Sequence, residues 1–238
     1  MPAMRSFKPA LLASLLALSL LVPPRPAMAE SWDLRAVQVV NQKLASPAAD
    51  DIATFLTDPL VTGGAVTLVA IGHDPRHYQA AATGLAAEVV GIGLAEGLKA
   101  ATHRPRPYVV DPSLRTPAGK EPDSSFPSGH TTVAFAGATV LAFDAPELAP
   151  YGYAFATLVG LSRIYEGVHY PTDVLAGAAL GSLVAWGVVA GRNALQAHHW
   201  LPAPPALAAS ASGGPAPLAA AGMQAGLPGG PLAVAFRF

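Results

Sequence analysis

The chain contains no cysteine, so it can form neither a disulfide framework nor a thiolate metal site, and it has no cysteine nucleophile. Charged residues are also scarce, at 12% of the sequence against 52% hydrophobic residues. Much of that apolar content is alanine, and no segment gives a clean run of about 20 strongly apolar residues, the length that a transmembrane helix requires. The alternation typical of strands is missing between residues 30 and 195. These features favour helices over a sheet.

The N-terminus has the three parts of a secretory signal peptide. Arg5 and Lys8 precede an apolar run over residues 10–22, and small residues at Ala27 and Ala29 form a cleavage site of the small-x-small type. We therefore predict that residues 1–29 are a signal peptide; the alternative is an uncleaved N-terminal anchor. The predicted location is periplasmic or secreted.

Cleavage at this site would change the charge balance of the protein. It leaves 11 basic and 15 acidic residues, a net charge near −4. A mildly acidic protein is a poor candidate for binding nucleic acid, so we predict no nucleic-acid partner.

Residues 30–198 are predicted to form one all-α bundle of about six helices, with the active site at the helix ends. Residues 102–126 read as a loop rich in proline and charge. Helices of this composition suit the core of a soluble protein, which we favour, or an integral inner-membrane protein whose site faces the periplasm. The predicted helices cover one or two segments within 30–58, then 78–101, 131–143, 151–162 and 172–195.

Residues 199–238 are rich in proline, alanine and glycine and are predicted to be a poorly ordered tail. Its last eight residues, 231–238, alternate apolar side chains in the pattern of a short β-strand. No function is assigned to this tail.

The segment Pro127-Ser128-Gly129-His130 reads as a turn that opens a helix. A helix that begins here points free backbone N–H groups and its positive dipole end at the surroundings of His130, which suits an anion. The plain alternative is that Ser128 caps the helix and does nothing else.

Two further clusters lie at predicted helix ends. Lys99 falls in the last turn of one helix, and prolines on either side hold Arg106 in an extended segment. Arg163 ends another helix, and His169 precedes the last long one. Asp173 lies four residues after His169, a spacing that lets its carboxylate reach the imidazole. Alone, the first of these clusters is better explained as a helix cap followed by a basic loop, and capping explains the second equally well.

Together the clusters supply cations and N–H donors that hold phosphoryl oxygens, with two histidines for attack and proton transfer. Their order and spacing over roughly residues 40–192 resemble the type 2 phosphatidic acid phosphatase superfamily. That superfamily also contains bacterial non-specific acid phosphatases and vanadium-dependent haloperoxidases. The matching residues are Lys99, Arg106 and Pro107; Pro127, Ser128, Gly129 and His130; and Ser162, Arg163, His169 and Asp173.

The resemblance implies a role for each residue. His169 is the expected nucleophile, oriented by Asp173, and His130 is the expected general acid and then general base. The phosphate-binding residues implied by the resemblance are Lys99, Arg106, Ser128, Gly129 and Arg163. No metal or other cofactor is implied for hydrolysis; vanadate would be needed by a haloperoxidase.

The implied activity is a phosphomonoesterase acting on a lipid phosphate, such as phosphatidate or an isoprenoid diphosphate, or on a soluble phosphate ester. Two alternatives are a vanadium-dependent haloperoxidase and a catalytically inactive helical protein of the envelope. Membrane association is compatible with the lipid substrates. No role is assigned to His103, Arg104, Tyr165 or Glu166, which lie beside these residues.

Overall fold

The computed structural model describes residues 26–64, 78–198 and 201, and in these residues it is a bundle of α-helices without strands. The all-α prediction is confirmed for this part of the chain. Residues 59–64 are also helical, and a 3-10 turn over Pro146–Leu148 joins two of the long helices. The α-helices are α1 (Pro26–Lys43), α2 (Pro47–Leu56), α3 (Tyr78–Thr102), α4 (Pro107–Val110), α5 (Gly129–Asp144), α6 (Ala149–Tyr165) and α7 (Pro171–Ala197).

The helix ends follow from local sequence. Proline occupies the first position of α2, α4 and α7, where its missing N–H costs no helical hydrogen bond. Ser46 caps α2 by accepting a hydrogen bond from the Ala49 N–H, at 3.2 Å. The short helix α4 lies inside residues 102–126, which the sequence analysis predicts as loop. Four residues are too few to show helical periodicity, so this helix leaves no sequence pattern.

Helix α5 lies at the centre of the bundle and packs against α3, α6 and α7. Ala134, Ala136, Ala138 and Val140 on this helix are fully buried. Since most of these side chains are small, the neighbouring helices approach α5 closely. Buried alanine side chains therefore form much of the core of this fold.

The closest approach joins α5 to α7 at two glycines. A β-carbon added to Gly177 would lie 2.6 Å from the Ser128 carbonyl oxygen, and one added to Gly181 would overlap the carbonyl oxygen of Thr132. Only glycine fits these positions without moving one helix. The contact brings the N-terminal ends of α5 and α7 together, and it fixes the distance between the residues at those ends.

The outer surface carries many apolar side chains. Within the described residues, α7 and the segment 78–110 that contains α3 are long and apolar enough to cross a membrane. At 25 and 27 residues, α3 and α7 extend about 38 and 40 Å, more than the roughly 30 Å hydrocarbon core of a bilayer. Large apolar side chains that are exposed on α3, α6 and α7 include Leu85, Val89, Val90, Ile92, Leu94, Leu158, Leu161, Leu175 and Trp186.

Three predictions concern the termini. Residues 1–25 of the predicted signal peptide lie outside the described residues, and so does the tail from residue 202, with its predicted strand over 231–238. The predicted cleavage site after Ala29 falls inside α1. These predictions remain untested.

The contact between α5 and α7 can be tested with two matched substitutions on one helix. Gly181→Ala is expected to destabilise the fold by about 1–3 kcal/mol, because the new methyl group meets backbone atoms of α5. Gly187→Ala, where a β-carbon meets nothing within 4 Å, is expected to be neutral or stabilising by about 0.5–1 kcal/mol. The free energy of unfolding of both variants, measured in the same buffer, checks the difference. Equal effects would contradict the close approach.

Candidate active site

The residues singled out in the sequence lie at one end of the bundle. Lys99 is in the last turn of α3, Arg163 is near the end of α6, and Ser128 is the N-cap of α5. His169 precedes α7, and Asp173 lies in the first turn of that helix. The Ser128 N–H donates to the Asp173 carbonyl oxygen at 3.1 Å, which links the starts of α5 and α7 directly.

His169 is fully buried, and both of its ring nitrogens have partners. Nδ1 lies 2.7 Å from the carbonyl oxygen of Ser125, and Nε2 lies 3.2 Å from Nη1 of Arg106. A carbonyl can only accept and a guanidinium can only donate, so Nδ1 carries the proton and Nε2 presents a lone pair. Burial, together with the charges of Arg106 and Arg163, holds the pKa of His169 well below its usual value. The neutral form therefore persists into acidic solution.

Asp173 does not make the hydrogen bond to His169 that its spacing suggests. Its Oδ2 lies 3.6 Å from Nδ1 of His169 and accepts instead from the Tyr170 N–H at 2.9 Å. The reason is local: Asp173 is the third residue of α7, and its carboxylate satisfies the unpaired N–H at the helix start. The tautomer of His169 is fixed by the Ser125 carbonyl, while the carboxyl group of Asp173 lies close to the ring without a hydrogen bond to it.

The three cations Lys99, Arg106 and Arg163 are buried and each is paired with carboxylates. Glu121 bonds Arg106 at 2.6 Å and also contacts Arg163. Asp123 bonds Lys99 at 2.5 Å and also contacts Arg106. Two carboxylates of one loop thus occupy all three cations.

The two loop carboxylates remain ionised in this position. Burial acts to raise the pKa of Glu121, but Arg163 and Arg106 outweigh it and lower that pKa. Asp123 behaves in the same way, with Lys99 and Arg106 lowering its pKa against the effect of burial. An anion that binds the cations must therefore displace two charged groups. The sequence analysis missed both residues, although their position just before Pro127 was a usable signal.

His130 reaches the site from the first turn of α5. Its Nε2 lies 3.1 Å from the carbonyl oxygen of Thr57, the residue that ends α2. Burial, followed by the charge of Arg163, lowers the pKa of His130 to about 4. The hydroxyl of Thr57 donates to Glu166 at 2.9 Å, and Glu166 in turn bonds Arg163 at 2.5 Å. Thr57 therefore couples His130 to the arginine beside it.

Ser128 and Gly129 contribute in different ways. The Ser128 hydroxyl accepts from the Thr131 hydroxyl at 2.9 Å and lies 3.5 Å from the Thr131 backbone nitrogen. Its side chain thus faces its own helix, as the capping alternative requires. At Gly129, a β-carbon would lie 3.1 Å from Ile92 and 3.8 Å from Nζ of Lys99. Glycine here keeps the start of α5 close to that ammonium group.

The residues left without a role in the sequence analysis have distinct positions. Arg104 bonds Asp173 at 2.6 Å, and Glu166 is the buried partner of Arg163. His103 follows the last residue of α3 and has a left-handed backbone (φ 50°), and Tyr165 donates its hydroxyl to Asp50. A cavity of about 510 Å³ borders the site; its lining includes Lys99, His103, Arg104, Arg106, Tyr108 and Asp123. Among the described residues, no three histidine or acidic side chains are grouped to hold a metal ion.

Comparisons with known proteins agree with this arrangement. The family model described as PAP2 superfamily matches residues 79–197, which is half of the chain. Undecaprenyl-diphosphatase BcrC of Bacillus subtilis is 32% identical over 138 residues, covering 57% of this chain and 68% of that protein. An undecaprenyl-diphosphatase of Sulfolobus acidocaldarius is 40% identical over 101 residues, covering 41% of this chain and 48% of its own length. The chain thus spans about half the length of the latter relative.

Two solved structures share the fold. A transmembrane phosphatidylglycerolphosphate phosphatase of Bacillus subtilis has a TM-score of 0.62 at 23% identity, over 77% of this chain and 96% of that one. A bacterial vanadium-dependent iodoperoxidase has a TM-score of 0.58 at 22% identity, over 71% of this chain and 51% of that one. At these identities the likeness concerns the fold alone.

The pairing of the cations with loop carboxylates predicts the effect of neutralising Glu121. Glu121→Gln is expected to tighten the binding of inorganic phosphate about fivefold to tenfold, because one competing charge is removed from Arg106 and Arg163. Titration calorimetry measures the dissociation constant.

Asp51→Asn is the matched control for this experiment, because Asp51 is an exposed carboxylate on α2 and its loss changes the net charge equally. The control is expected to leave phosphate binding unchanged. Unchanged or weaker binding in Glu121→Gln would show that Glu121 does not compete with the anion.

Proposed function

The chain belongs to the PAP2 superfamily, and from that premise we propose that it is a phosphatase that hydrolyses a lipid phosphate through a phosphohistidine intermediate. The observation that carries the proposal is the orientation of His169. Its Nε2 lone pair points at Arg106 in a buried cluster of three cations, while its Nδ1–H is held by a carbonyl. A neutral imidazole next to fixed positive charges suits attack on a phosphoryl group.

In the first step, His169 Nε2 forms a bond to phosphorus and the bond from phosphorus to the leaving oxygen breaks. The leaving oxygen takes the electron pair of that bond and accepts a proton from His130. Lys99, Arg106 and Arg163 hold the other phosphoryl oxygens. Nε of Arg163 is buried and has no hydrogen-bond partner in the described residues, so it offers a donor for one of them.

In the second step, His130 removes a proton from water, which attacks phosphorus and breaks the bond to Nε2. Phosphate leaves, and His169 returns to its neutral form with the proton still on Nδ1. The charge that develops on the phosphoryl oxygens is balanced by the three cations and by the positive end of α5. These groups supply the charge that Mg²⁺ supplies in other phosphoryl-transfer enzymes, so the proposed hydrolysis needs no metal.

The surface of the protein supports a lipid substrate. Exposed leucine, valine and isoleucine side chains cover α3, including Leu85, Val89 and Leu94, and α7 is long enough to cross a bilayer. We propose that α3 and α7 lie in the membrane, which favours the integral-membrane alternative over the soluble one. The site at the helix ends then meets the lipid headgroups. The names of the relatives, which include undecaprenyl-diphosphatases, support an isoprenoid diphosphate or a similar lipid phosphate.

The roles of the two histidines predict different kinetics. His169→Ala is expected to abolish turnover of every substrate, because no phosphoenzyme can form. His130→Ala is expected to lose activity strongly on a lipid phosphate, whose leaving oxygen needs a proton. With an aryl phosphate, whose leaving group needs little protonation, this variant is expected to form the phosphoenzyme and hydrolyse it slowly. Rapid-quench kinetics with radiolabelled substrate measures both steps.

The same assay on the full chain in detergent compares a short-chain lipid phosphate, an isoprenoid diphosphate and an aryl phosphate, with and without EDTA. Activity that is unchanged by EDTA is expected, as is a preference for the lipids. Full activity in His169→Ala would contradict the assignment of the nucleophile. Halide oxidation in the presence of added vanadate would favour the haloperoxidase alternative.

The pH dependence follows from the lowered pKa values of both histidines. In the free enzyme burial holds the pKa of His169 well below its usual value and lowers that of His130 to about 4, so both are neutral in mildly acidic solution. The proton for the leaving oxygen therefore enters with the substrate monoanion and passes to His130. The second pKa of a phosphate ester is about 6, and above it the monoanion disappears. We therefore expect kcat/KM to be greatest near pH 5–6. An optimum above about pH 9 would contradict these roles.

A further inference from the structure

Asp33 is a buried carboxylate that lies outside residues 79–197, the part of the chain that matches the family. It is on α1, it is fully buried, and it accepts three hydrogen bonds. Nη2 of Arg104 donates to it at 2.9 Å, the Thr172 N–H at 3.2 Å, and the Thr172 hydroxyl at 2.5 Å. Asp33 therefore ties α1 to the first turn of α7, next to Asp173.

Arg104 joins Asp33 to Asp173. Its Nη1 donates to Oδ1 of Asp173 at 2.6 Å and to the Thr172 hydroxyl at 2.7 Å, and its guanidinium lies 4.0 Å from the ring centre of Tyr170. One cation thus sits between two fully buried carboxylates. When all three groups are ionised, this network carries one net negative charge.

The network touches the reaction through Asp173. Oδ2 of Asp173 lies 3.6 Å from Nδ1 of His169, while Oδ1 is engaged by Arg104. Attack by Nε2 leaves positive charge on the imidazole ring, and negative charge near Nδ1 stabilises it. Without Asp33, the charge of Arg104 would be balanced by Asp173 alone, and the network would be neutral.

We propose that Asp33 and Arg104 are positioning residues that set the negative charge Asp173 presents to His169 during phosphoryl transfer. The inference rests on the proposed function, since it requires His169 to become positively charged in the reaction. The carboxylate of Asp33 balances the positive charge of Arg104. Arg104 can therefore hold Asp173 in place while the network keeps a net negative charge. The side-chain hydrogen bonds of Asp33 and Arg104 in the described residues do not reach the phosphate clamp, which is formed by Lys99, Arg106 and Arg163.

A double variant that restores the net charge of the network distinguishes this role from a purely structural one. Asp33→Asn makes the network neutral, and Arg104→Gln leaves two carboxylates facing each other. Each single variant is expected to lower kcat about 10-fold to 100-fold with KM changed less than about twofold, a size typical of residues that hold groups at a reacting centre. The double variant D33N/R104Q restores one net negative charge on Asp173. Its kcat is expected to exceed that of both single variants.

The experiment uses the full chain in detergent at about pH 8, where Asp173 is ionised, with an aryl phosphate and a short-chain lipid phosphate. Asp51→Asn is again the charge-matched control, and binding of inorganic phosphate reports whether the clamp is intact in each variant. If the losses in kcat of the two single variants add up in the double variant, the proposal is overturned, because independent structural defects are expected to add. A raised KM with unchanged kcat would also overturn it.

Arg104→Lys covers the case in which Asp33→Asn does not fold. It keeps the cation and is expected to retain more kcat than Arg104→Gln, whereas equal losses in the two variants would overturn the proposal. The wild-type chain is assayed first for turnover and for a phosphoenzyme that depends on His169. Their absence would overturn the proposed function itself, while an active wild type without charge compensation overturns this inference alone.

Discussion

The close contact between the N-terminal ends of α5 and α7 is the constraint on which the site depends. Gly177 and Gly181 allow the two backbones to meet, and the Ser128 N–H then bonds the Asp173 carbonyl. This contact places His130, at the start of α5, beside the segment that carries His169. Two helix N-termini therefore face one small region, and both favour negative charge there. The proposed anion-binding site therefore depends on the packing of small residues against each other.

Burial of like charges shapes the chemistry of that region. Lys99, Arg106 and Arg163 lie close together with little exposure to water, which is costly unless anions balance them. Glu121 and Asp123 provide that balance, and in the proposed function a phosphoryl group replaces them. Burial, together with the charges of the same cations, keeps His169 neutral, so the arrangement proposed to bind the phosphoryl group also suits His169 to the proposed role of nucleophile.

Two residues outside the family motifs show how the N-terminal helices α1 and α2 contribute to the site. Thr57 at the end of α2 holds His130 and Glu166, and Asp33 on α1 holds Arg104. Both residues precede the part of the chain that matches the family model, yet both contact its site. The N-terminal helices thus support the active centre as well as the bundle, through buried polar groups whose partners come from distant parts of the sequence.

The sequence by itself determined the all-α class, the ends of the long helices to within a few residues, and the set of motif residues, since periodicity, prolines and spacing are local signals. The tertiary structure decided which groups touch. The spacing of Asp173 allowed a bond to His169, but the capping of α7 and the Ser125 carbonyl, 44 residues away, gave each a different partner. The partners of Glu121, Asp33 and Thr57 likewise come from residues far along the chain. Such contacts depend on how the helices pack, and no local pattern encodes them.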